Sequence, residues 1–227
     1  MNEAERRIAI FDLDGTLVSA HLWLGIVRYN FKNKKNRLPI FWYVLSNLAL
    51  TPFWKMHFIP TGKYYRNWIE GMAKMVRGIK KEKAKEMFDW LADKYLLPTL
   101  KEPIFERLKK HQEDGFSTIL TSGSFQELLE VIARRLNFDF TIGTDLEVIG
   151  DKFSGKTIPP LCFSEGKAEK VKNLLSEINL KINFKESFTY SDSFFDLPIL
   201  EMVGNPVAVK PDKKLLEIAK NKGWQII

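Results

Sequence analysis

The amino-acid sequence predicts an α/β protein, in which a parallel sheet is flanked by helices and an all-helical cap is inserted after the first strand. Two observations predict this fold class. From residue 100 onward, short apolar runs alternate with amphipathic stretches of helical length, a pattern typical of a mostly parallel sheet with helices on both faces. Before that alternation, residues 19–99 differ in character and are rich in Trp, Tyr, Phe, Leu and Lys.

The first strand and the inserted segment come first along the chain. Residues 7–12, "RIAIFD", are β-branched and aromatic and predict a short buried strand, and "LDGT" at 13–16 predicts a turn. In the segment that follows, apolar spacing predicts several helices interrupted by proline and glycine. We therefore assign residues 1–18 and 100–227 to a core and residues 19–99 to a helical cap.

The remaining elements alternate between helix and strand. Ser124 precedes an amphipathic stretch and is the predicted N-cap of its helix. A Gly-Asp pair predicts the tip of a hairpin within residues 145–157. The predicted helices are 102–112, 124–136, 165–178, a short one within 194–203, and 212–223, and the predicted strands are 117–122, 138–144, 186–192, 206–209 and 224–227.

Composition restricts the class of protein. Of the 227 residues, 45% are hydrophobic and 28% are charged, which excludes disordered, collagen-like and low-complexity chains. Cys162 is the single cysteine, so we expect a buried thiol, no internal disulfide, and a reducing, cytoplasmic compartment. No signal peptide is expected, because the first apolar run, Ile8–Phe11, is short and stops at Asp12. The three histidines lack metal-ligand spacing, and we expect surface or packing positions for them: His21, His57 and His111.

Positive charge is concentrated in the predicted cap. The net charge is +7, and residues 17–100 contain 15 Lys and Arg against 5 Asp and Glu. Such a patch suits a nucleic acid, an anionic membrane surface or an acidic substrate, and it also suits a solvated face that keeps the protein in solution. No aromatic–basic nucleic-acid motif is present, so we expect no nucleic-acid partner.

Within the cap, the segment Leu38–Ile59 is notably apolar. A transmembrane helix is not expected, because prolines and a lysine interrupt it and a span needs about 20 apolar residues. One interpretation is packing inside the cap. The other is contact with a membrane surface or a lipid-like substrate through an aromatic and basic set: Phe41, Trp42, Phe53 and Trp54, flanked by Lys34, Lys35, Arg37 and Lys55.

Polar side chains collect at the predicted carboxyl ends of the strands, the edge where open α/β sheets bind ligands. Crowded carboxylates raise one another's pKa unless a cation neutralises them. Oxygen ligands select a hard cation such as Mg²⁺, and a phosphate would complete its coordination. One carboxylate would then attack phosphorus, and hydroxyl, ammonium and main-chain N–H groups would hold the other phosphate oxygens. Each strand end contributes its own residues. They are Asp12 and Asp14 at the end of the first strand, Thr121, Ser122 and Ser124 at the end of the second, and Ser191, Asp192 and Asp196 at the end of the strand predicted at 186–192, with Lys167 at a helix start.

These residues resemble the motifs of the haloacid-dehalogenase-like phosphatases. The four motifs of that family appear in order as "IAIFDLDGT", "STILTSGS", "EGKAEKVKNLL" and "FTYSDSFFDLPIL". The position of the insert, together with "TDLEVIGDKFSGKT" and "SEGKAEK", is similar to the phosphoserine-phosphatase-like subgroup with a helical cap. The resemblance implies a Rossmann-like catalytic core and Mg²⁺ as the cofactor. Ser191 departs from the family pattern, because many members have glycine there.

The resemblance also implies a role for each matched residue. The first two acids would carry the chemistry: Asp12 as nucleophile and metal ligand, and Asp14 as general acid, then base, with its main-chain carbonyl on the metal. The phosphoryl group would be held by a second set of residues. These are Ser122, Gly123 and Lys167, with Asp192 as a metal ligand and Asp196 supporting the metal site or orienting Lys167.

We therefore expect a Mg²⁺-dependent phosphatase that hydrolyses a small phosphorylated substrate, a phosphomonoester, through a phospho-aspartate on Asp12. Two alternatives stay open. A phosphotransferase would pass the phosphoryl group to an alcohol instead of water. A non-catalytic binding module would use the basic cap on lipid or nucleic acid. The cap is expected to select the substrate by moving on hinges at Leu17–Ala20 and Leu97–Leu100.

Overall fold

The computed structural model of the chain describes residues 5–33, 37–179 and 181–227, with the side chains of residues 37 and 39 left out. The basic residues Lys34 and Lys35, and the side chain of Arg37, therefore lie outside the described residues. The expectations placed on them stay predictions.

A mixed sheet forms the centre of the fold, and its described part has seven strands in the order β4-β3-β2-β1-β5-β6-β7. All pairings are parallel except that of β3 with β4, which is the predicted hairpin. The strand bounds are β1 Ile8–Asp12, β2 Ser117–Phe125, β3 Phe140–Ile149, β4 Lys152–Ile158, β5 Phe188–Ser191, β6 Asn205–Ala208 and β7 Gln225–Ile226. This arrangement confirms the predicted α/β class.

The first strand is buried along its whole length, since helices cover both faces of the sheet. Its side chains alternate between two apolar clusters, with Phe11 in one and Ile8 and Ile10 in the other. In register, Asp12 pairs with Thr121 of β2, and Phe11 pairs with Tyr190 of β5. The carboxyl ends of three neighbouring strands therefore lie side by side.

Helices cover the sheet and fill the insert. Each helix predicted beyond residue 100 is present within two residues of its expected bounds. Several helices also lie between β1 and the second strand, as the apolar spacing predicts, and the assignment of residues 19–99 to a separate cap stays a prediction. The helices are α1 Leu22–Lys32, α2 Arg37–Lys55, α3 Thr61–Met75, α4 Lys81–Leu91, α5 Glu102–Glu113, α6 Gln126–Leu136, α7 Glu165–Glu177, α8 Leu197–Leu200 and α9 Lys213–Lys222.

The predicted N-cap of α6 is wrong. Strand β2 continues to Phe125, which pairs with Thr144 after a shift of register, and α6 begins only at Gln126. Ser124 is therefore a strand residue. Its hydroxyl donates to Asp14 Oδ2 at 3.0 Å instead of capping a helix.

Main-chain hydrogen bonds restrain the inserted helices relative to the core at two places. At the first, the two chain segments that join the insert to the core pair with each other: Ser19 N donates to Thr99 O at 3.0 Å, and Lys101 N donates to Leu17 O at 2.9 Å. At the second, the stretch between α3 and α4 bonds to the β3–β4 hairpin. There Gly78 N donates to Phe153 O at 2.8 Å, and Phe153 N donates to Ile79 O at 3.0 Å.

Candidate active site

One cavity of about 440 Å³ lies at the carboxyl ends of β1, β2 and β5. It brings together the seven residues to which the sequence assigns a role, from segments far apart along the chain. They are Asp12, Asp14, Ser122, Gly123, Lys167, Asp192 and Asp196. Of the other polar candidates, Ser124 also lines the cavity, whereas Thr121 and Ser191 lie outside its lining.

Lys167 is the buried cation of the site. Its side chain enters from the first turn of α7, and only 3% of the residue is exposed. Its Nζ lies 2.9 Å from Asp12 Oδ1 and 2.7 Å from Asp196 Oδ1. Burial opposes the charge, but the two carboxylates outweigh burial and raise the pKa of Lys167 above its usual value. Lys167 therefore remains a cation throughout the physiological pH range.

Asp196 is held in place on both sides of its carboxylate. Ser191 Oγ donates to Asp196 Oδ2 at 2.7 Å, and Lys167 Nζ approaches the same carboxylate. Of the two roles that the sequence left open for Asp196, this geometry supports the orientation of Lys167. Ser191, which departs from the family pattern, thus helps to fix the carboxylate of Asp196 beside the site.

Asp12 and Asp192 form the acidic side of the cavity. Burial raises the pKa of Asp12 well above its usual value; Lys167 opposes this, and the carboxylates of Asp196 and Asp192 add to it. Burial, followed by the charge of Asp196, raises the pKa of Asp192 to about 6. Buried acids that repel one another in this way are stabilised by a nearby cation.

This donor set fits Mg²⁺. The carboxylates of Asp12, which is buried, and Asp192, which is half-buried, are hard oxygen donors, as are the main-chain carbonyls beside them, and Mg²⁺ prefers such donors. Within residues 5–33, 37–179 and 181–227, no three acidic, histidine or cysteine side chains form a complete metal cage. Mg²⁺ does not need such a cage, because it binds through one or two carboxylates and retains several waters.

Asp14 is fixed by three hydrogen bonds. The hydroxyls of Ser122 and Ser124 donate to its Oδ2 at 3.1 and 3.0 Å. The main-chain N–H of Leu22, at the start of α1, donates to its Oδ1 at 3.0 Å. The carboxylate thus joins the end of β2 to the first helix of the insert. Ser122, predicted to bind phosphate, uses its hydroxyl on Asp14 in this structure.

Steric constraints explain why the "DLDGT" motif has a glycine at position 15. Gly15 has φ +84, and a Cβ there would overlap the carboxylate of Asp192. Thr16, the next residue, donates from Oγ1 to Asp192 Oδ1 at 3.3 Å. The turn after β1 therefore fits closely against the acid that follows β5.

Sequence reasoning missed Lys101. Its ammonium donates to the carbonyl oxygen of Gly15, and Asp192 and Asp12 act on its charge. Burial lowers the pKa of Lys101, although the attraction of Asp192 opposes that effect. No motif marks this residue. Lys101 lies next to this turn because the chain re-enters the core, after the insert, beside residues 15–17.

Sequence reasoning also missed the aromatic wall of the cavity, although Trp54 belongs to the set for which it left open both packing in the cap and contact with a membrane or a lipid-like substrate. Two ring pairs show the arrangement: Trp54 stacks on Tyr64 with centroids 4.7 Å apart, and Phe163 lies 4.8 Å from Phe195. Apart from the four aspartates and Lys167, the described residues of the lining include no acidic side chain, lysine or arginine. The aromatic wall consists of Trp23, Trp54, Tyr64, Tyr65, Trp68, Phe163 and Phe195.

The histidines take the positions expected for them, with one addition. His57 is exposed, and His21 is exposed while also lining the cavity. His111 is buried in packing, where its Nε2 lies 2.8 Å from the Tyr190 hydroxyl. Cys162 is buried, as predicted.

The chain is similar to known proteins in sequence and in fold. A family model described as haloacid dehalogenase-like hydrolase matches residues 9–201. The histidinol-phosphatase of Neisseria meningitidis serogroup C (strain 8013) is 28% identical over 233 residues, which cover 98% of each chain. Among solved structures, a protein of unknown function from Bordetella pertussis Tohama I matches with a TM-score of 0.81 and 24% identity over 99% of each chain. A phosphoserine phosphatase solved as a phospho-aspartyl intermediate analogue matches with a TM-score of 0.64 and 18% identity, over 98% of this chain and 93% of that one.

Proposed function

We propose that this chain, which belongs to the haloacid dehalogenase-like hydrolase family and is a phosphoric monoester hydrolase, works with Mg²⁺ through a phospho-aspartate on Asp12. One observation carries this proposal. The carboxylate of Asp12 is buried at the end of β1, is held by Lys167 at 2.9 Å, and shares its cavity with Asp14 and Asp192. A solved structure of similar fold was described as an analogue of such an intermediate, which supports the same assignment here.

The first half of the reaction transfers the phosphoryl group to the protein. A carboxylate oxygen of Asp12 attacks phosphorus, forming a new P–O bond while the bond to the ester oxygen breaks. Asp14, in its protonated form, gives its proton to the departing alkoxide, so that an alcohol leaves. Lys167 neutralises charge on the phosphoryl oxygens, and the N–H groups near Gly123 contact the same oxygens.

The second half returns the protein to its starting state. Asp14, now a carboxylate, takes a proton from water as the water oxygen attacks phosphorus. The bond between phosphorus and Asp12 breaks, and inorganic phosphate leaves. Asp12, Asp192 and the main-chain carbonyl of Asp14 would hold Mg²⁺, which when bound supplies positive charge against the carboxylates and the phosphoryl oxygens.

The aromatic wall indicates the class of substrate. Aromatic faces bind flat rings and organic cations, whereas a free carboxylate would need a cation that the described lining lacks apart from the paired Lys167. We therefore favour a monoester of an alcohol that bears a ring or an amine over phosphoserine. The name of the histidinol-phosphatase relative is consistent with that class.

The mechanism is tested by Asp12→Asn, with Asp151→Asn as the control. Asp151 is an exposed acid that pairs with Lys80 far from the cavity. We expect Asp12→Asn to abolish phosphate release from an aryl phosphate in the presence of Mg²⁺ and Asp151→Asn to leave it unchanged. Equal activity of wild type and Asp12→Asn would refute the mechanism. Analysis of products in the presence of an alcohol acceptor separates hydrolysis from phosphotransfer.

The substrate class is tested separately. We expect kcat/KM to be higher for histidinol phosphate and aryl phosphates than for phosphoserine. Trp68→Ala should reduce kcat/KM for the ring-bearing esters and leave that for a simple alkyl phosphate nearly unchanged. A preference for phosphoserine would overturn the assignment of substrate class while leaving the phosphatase mechanism intact.

A further inference from the structure

The outer face of α2 is an apolar surface that no described element covers. Along this helix, apolar side chains recur at the spacing of one helical face and are each 43–68% exposed. We call them the α2 stripe: Leu38, Phe41, Trp42, Leu45, Leu48 and Phe53. The opposite face of the helix is packed, because Ile40 and Tyr43 are buried and the Tyr43 ring contacts Trp68 of α3. The helix thus has two apolar faces and buries only one.

The stripe is too extensive for an ordinary exposed patch. Single exposed apolar residues are normal on protein surfaces, but large contiguous patches mark sites of interaction. The helix has 19 residues, so at about 1.5 Å per residue the stripe runs for most of a 28 Å length. Beyond the helix, Met56 and Phe58 are also exposed, at 64% and 71%, and extend the apolar surface.

The charge around the stripe identifies what covers it. From residue 15 to residue 69 the sequence contains eight Lys and Arg and no Asp or Glu. The described members of this basic set are exposed; they include Lys32 at the end of α1, Lys55 at the end of α2, and Lys63 and Arg66 on α3. Beside the stripe, Leu38 and Trp42 line a groove with Lys74 and Lys156, and Glu70 is the acid of that groove. An apolar, aromatic face with this excess of cations complements the surface of an anionic bilayer.

Among the helices that the structure describes, none has an apolar stretch sufficient for a membrane span. The stripe instead has the properties of a helix that lies in the plane of the interface. Trp42, Phe41 and Phe53 would enter the boundary between headgroups and acyl chains, and the cations would remain at the level of the lipid phosphates.

We propose that the α2 stripe docks this chain on an anionic lipid bilayer. The docking face and the cavity share one helix. Phe53 faces outward, whereas its neighbour Trp54 lines the cavity. Docking therefore brings the cavity close to the membrane surface. The proposal does not depend on the phosphatase mechanism, since neither the acids nor Lys167 contributes to the stripe.

Co-sedimentation with vesicles tests the proposal on the full chain. The probes are vesicles of phosphatidylcholine alone and of phosphatidylcholine mixed with phosphatidylserine, at low and at high salt. We expect binding only to the mixed vesicles, weakened by salt. Phe41→Ser with Trp42→Ser should reduce the partition coefficient by at least about tenfold, and Lys55→Gln, which removes one positive charge, by roughly fivefold.

A matched control removes apolar side chains elsewhere. Ile149 and Ile158 are 69% and 47% exposed on the β3–β4 hairpin, so Ile149→Ser with Ile158→Ser should leave vesicle binding unchanged. All variants should retain wild-type turnover of an aryl phosphate, which verifies that they fold.

Two outcomes would overturn the proposal. The first is absence of binding to the mixed vesicles at low salt. The second is a concentration-dependent dimer in sedimentation velocity that the Phe41 and Trp42 substitutions abolish, because a second copy of the chain would then cover the stripe.

Discussion

The carboxylate of Asp14 accepts a hydrogen bond at 3.0 Å from the main-chain N–H of Leu22, the first residue of α1. The residue assigned as the acid is therefore bonded to the insert as well as to the core hydroxyls of Ser122 and Ser124. A displacement of α1 would release one oxygen of Asp14. The position of the acid and the position of the insert are thus linked through a single side chain.

The role of Asp14 predicts the effect of Asp14→Asn. The amide can still accept from Leu22 but has no proton to give an alkoxide. We expect kcat for an alkyl phosphate to fall by about 10²- to 10⁴-fold, with little change in thermal stability. Ser124→Ala, which removes one hydrogen bond and keeps the acid, should have a much smaller effect on kcat. Comparable losses in the two variants would contradict the assignment of Asp14 as the acid.

Lys167→Met should reveal how much the buried cation contributes to stability. Its removal leaves Asp12 and Asp196 buried without their partner, which we expect to lower the free energy of unfolding by about 3 kcal/mol in the absence of Mg²⁺. Mg²⁺ should recover part of this loss. The measurement is urea unfolding at neutral pH with and without the ion.

Lys170→Met provides the control for that experiment. Lys170 lies one turn further along α7 and pairs at 2.5 Å with Asp145, whose side chain is 44% exposed. Since partly exposed ion pairs are weak, the loss should be below about 1 kcal/mol. A Lys167→Met protein as stable as Lys170→Met would show that the buried ion pairs do not stabilise the fold.

Gly15→Ala should disturb the acid that follows β5. The new Cβ would overlap the carboxylate of Asp192, in addition to the backbone cost of about 1–2 kcal/mol at a positive φ. Gly223→Ala is the matched control, because Gly223 also has a positive φ of +68 but has open space where the new Cβ would stand. We expect both variants to lose stability but only Gly15→Ala to raise the Mg²⁺ concentration that gives half-maximal activity. Unchanged Mg²⁺ dependence in Gly15→Ala would argue against Asp192 as a ligand.

The lowered pKa of His111 predicts that the free energy of unfolding falls in acid. Burial lowers the pKa of His111 to about 4, from 6.5 in the unfolded chain. Between these values the unfolded state binds a proton that the folded state does not, so stability falls as the pH falls. The full effect is about 3 kcal/mol by pH 4.

The contribution of His111 is isolated by difference, because carboxyl groups titrate in the same range. His111→Phe should show a smaller decline in unfolding free energy between pH 6.5 and 4 than wild type. His57→Asn, at an exposed position with φ 62, should follow the wild-type curve. Parallel curves for wild type and His111→Phe would mean that His111 is not the responsible group.

The sequence correctly predicted those helices, strands and turns that are determined by residue type and periodicity. The buried run of β1, the hairpin at Gly150 and the helix that carries Lys167 follow from residue type and periodicity, and the parallel topology then brings their ends together. Ser124 shows the limit of this reasoning. A serine before an amphipathic stretch resembles an N-cap, but pairing of Phe125 with Thr144 extends the strand and gives its hydroxyl to Asp14.

Other features depend on contacts that no local pattern encodes. Lys101 reaches the turn after β1 only because the chain returns beside it. The wall residues Trp54, Tyr65 and Phe163 come from separate segments and meet only in the folded chain. For the apolar residues of α2, the sequence left open packing in the cap and contact with a membrane surface or lipid-like substrate, and the structure has Tyr43 in the interior and Trp42 on the surface.

The two separate attachments of the inserted helices restrict how the cavity opens. A rigid rotation about the paired stretches at residues 17–19 and 99–101 would break the main-chain bonds between residues 78–79 and Phe153. A rigid rotation about the hairpin contact would have to displace both chain segments that join the insert to the core. Movement of the insert as one body is therefore restricted from two sides, and α3, which packs against β4, is restricted with it.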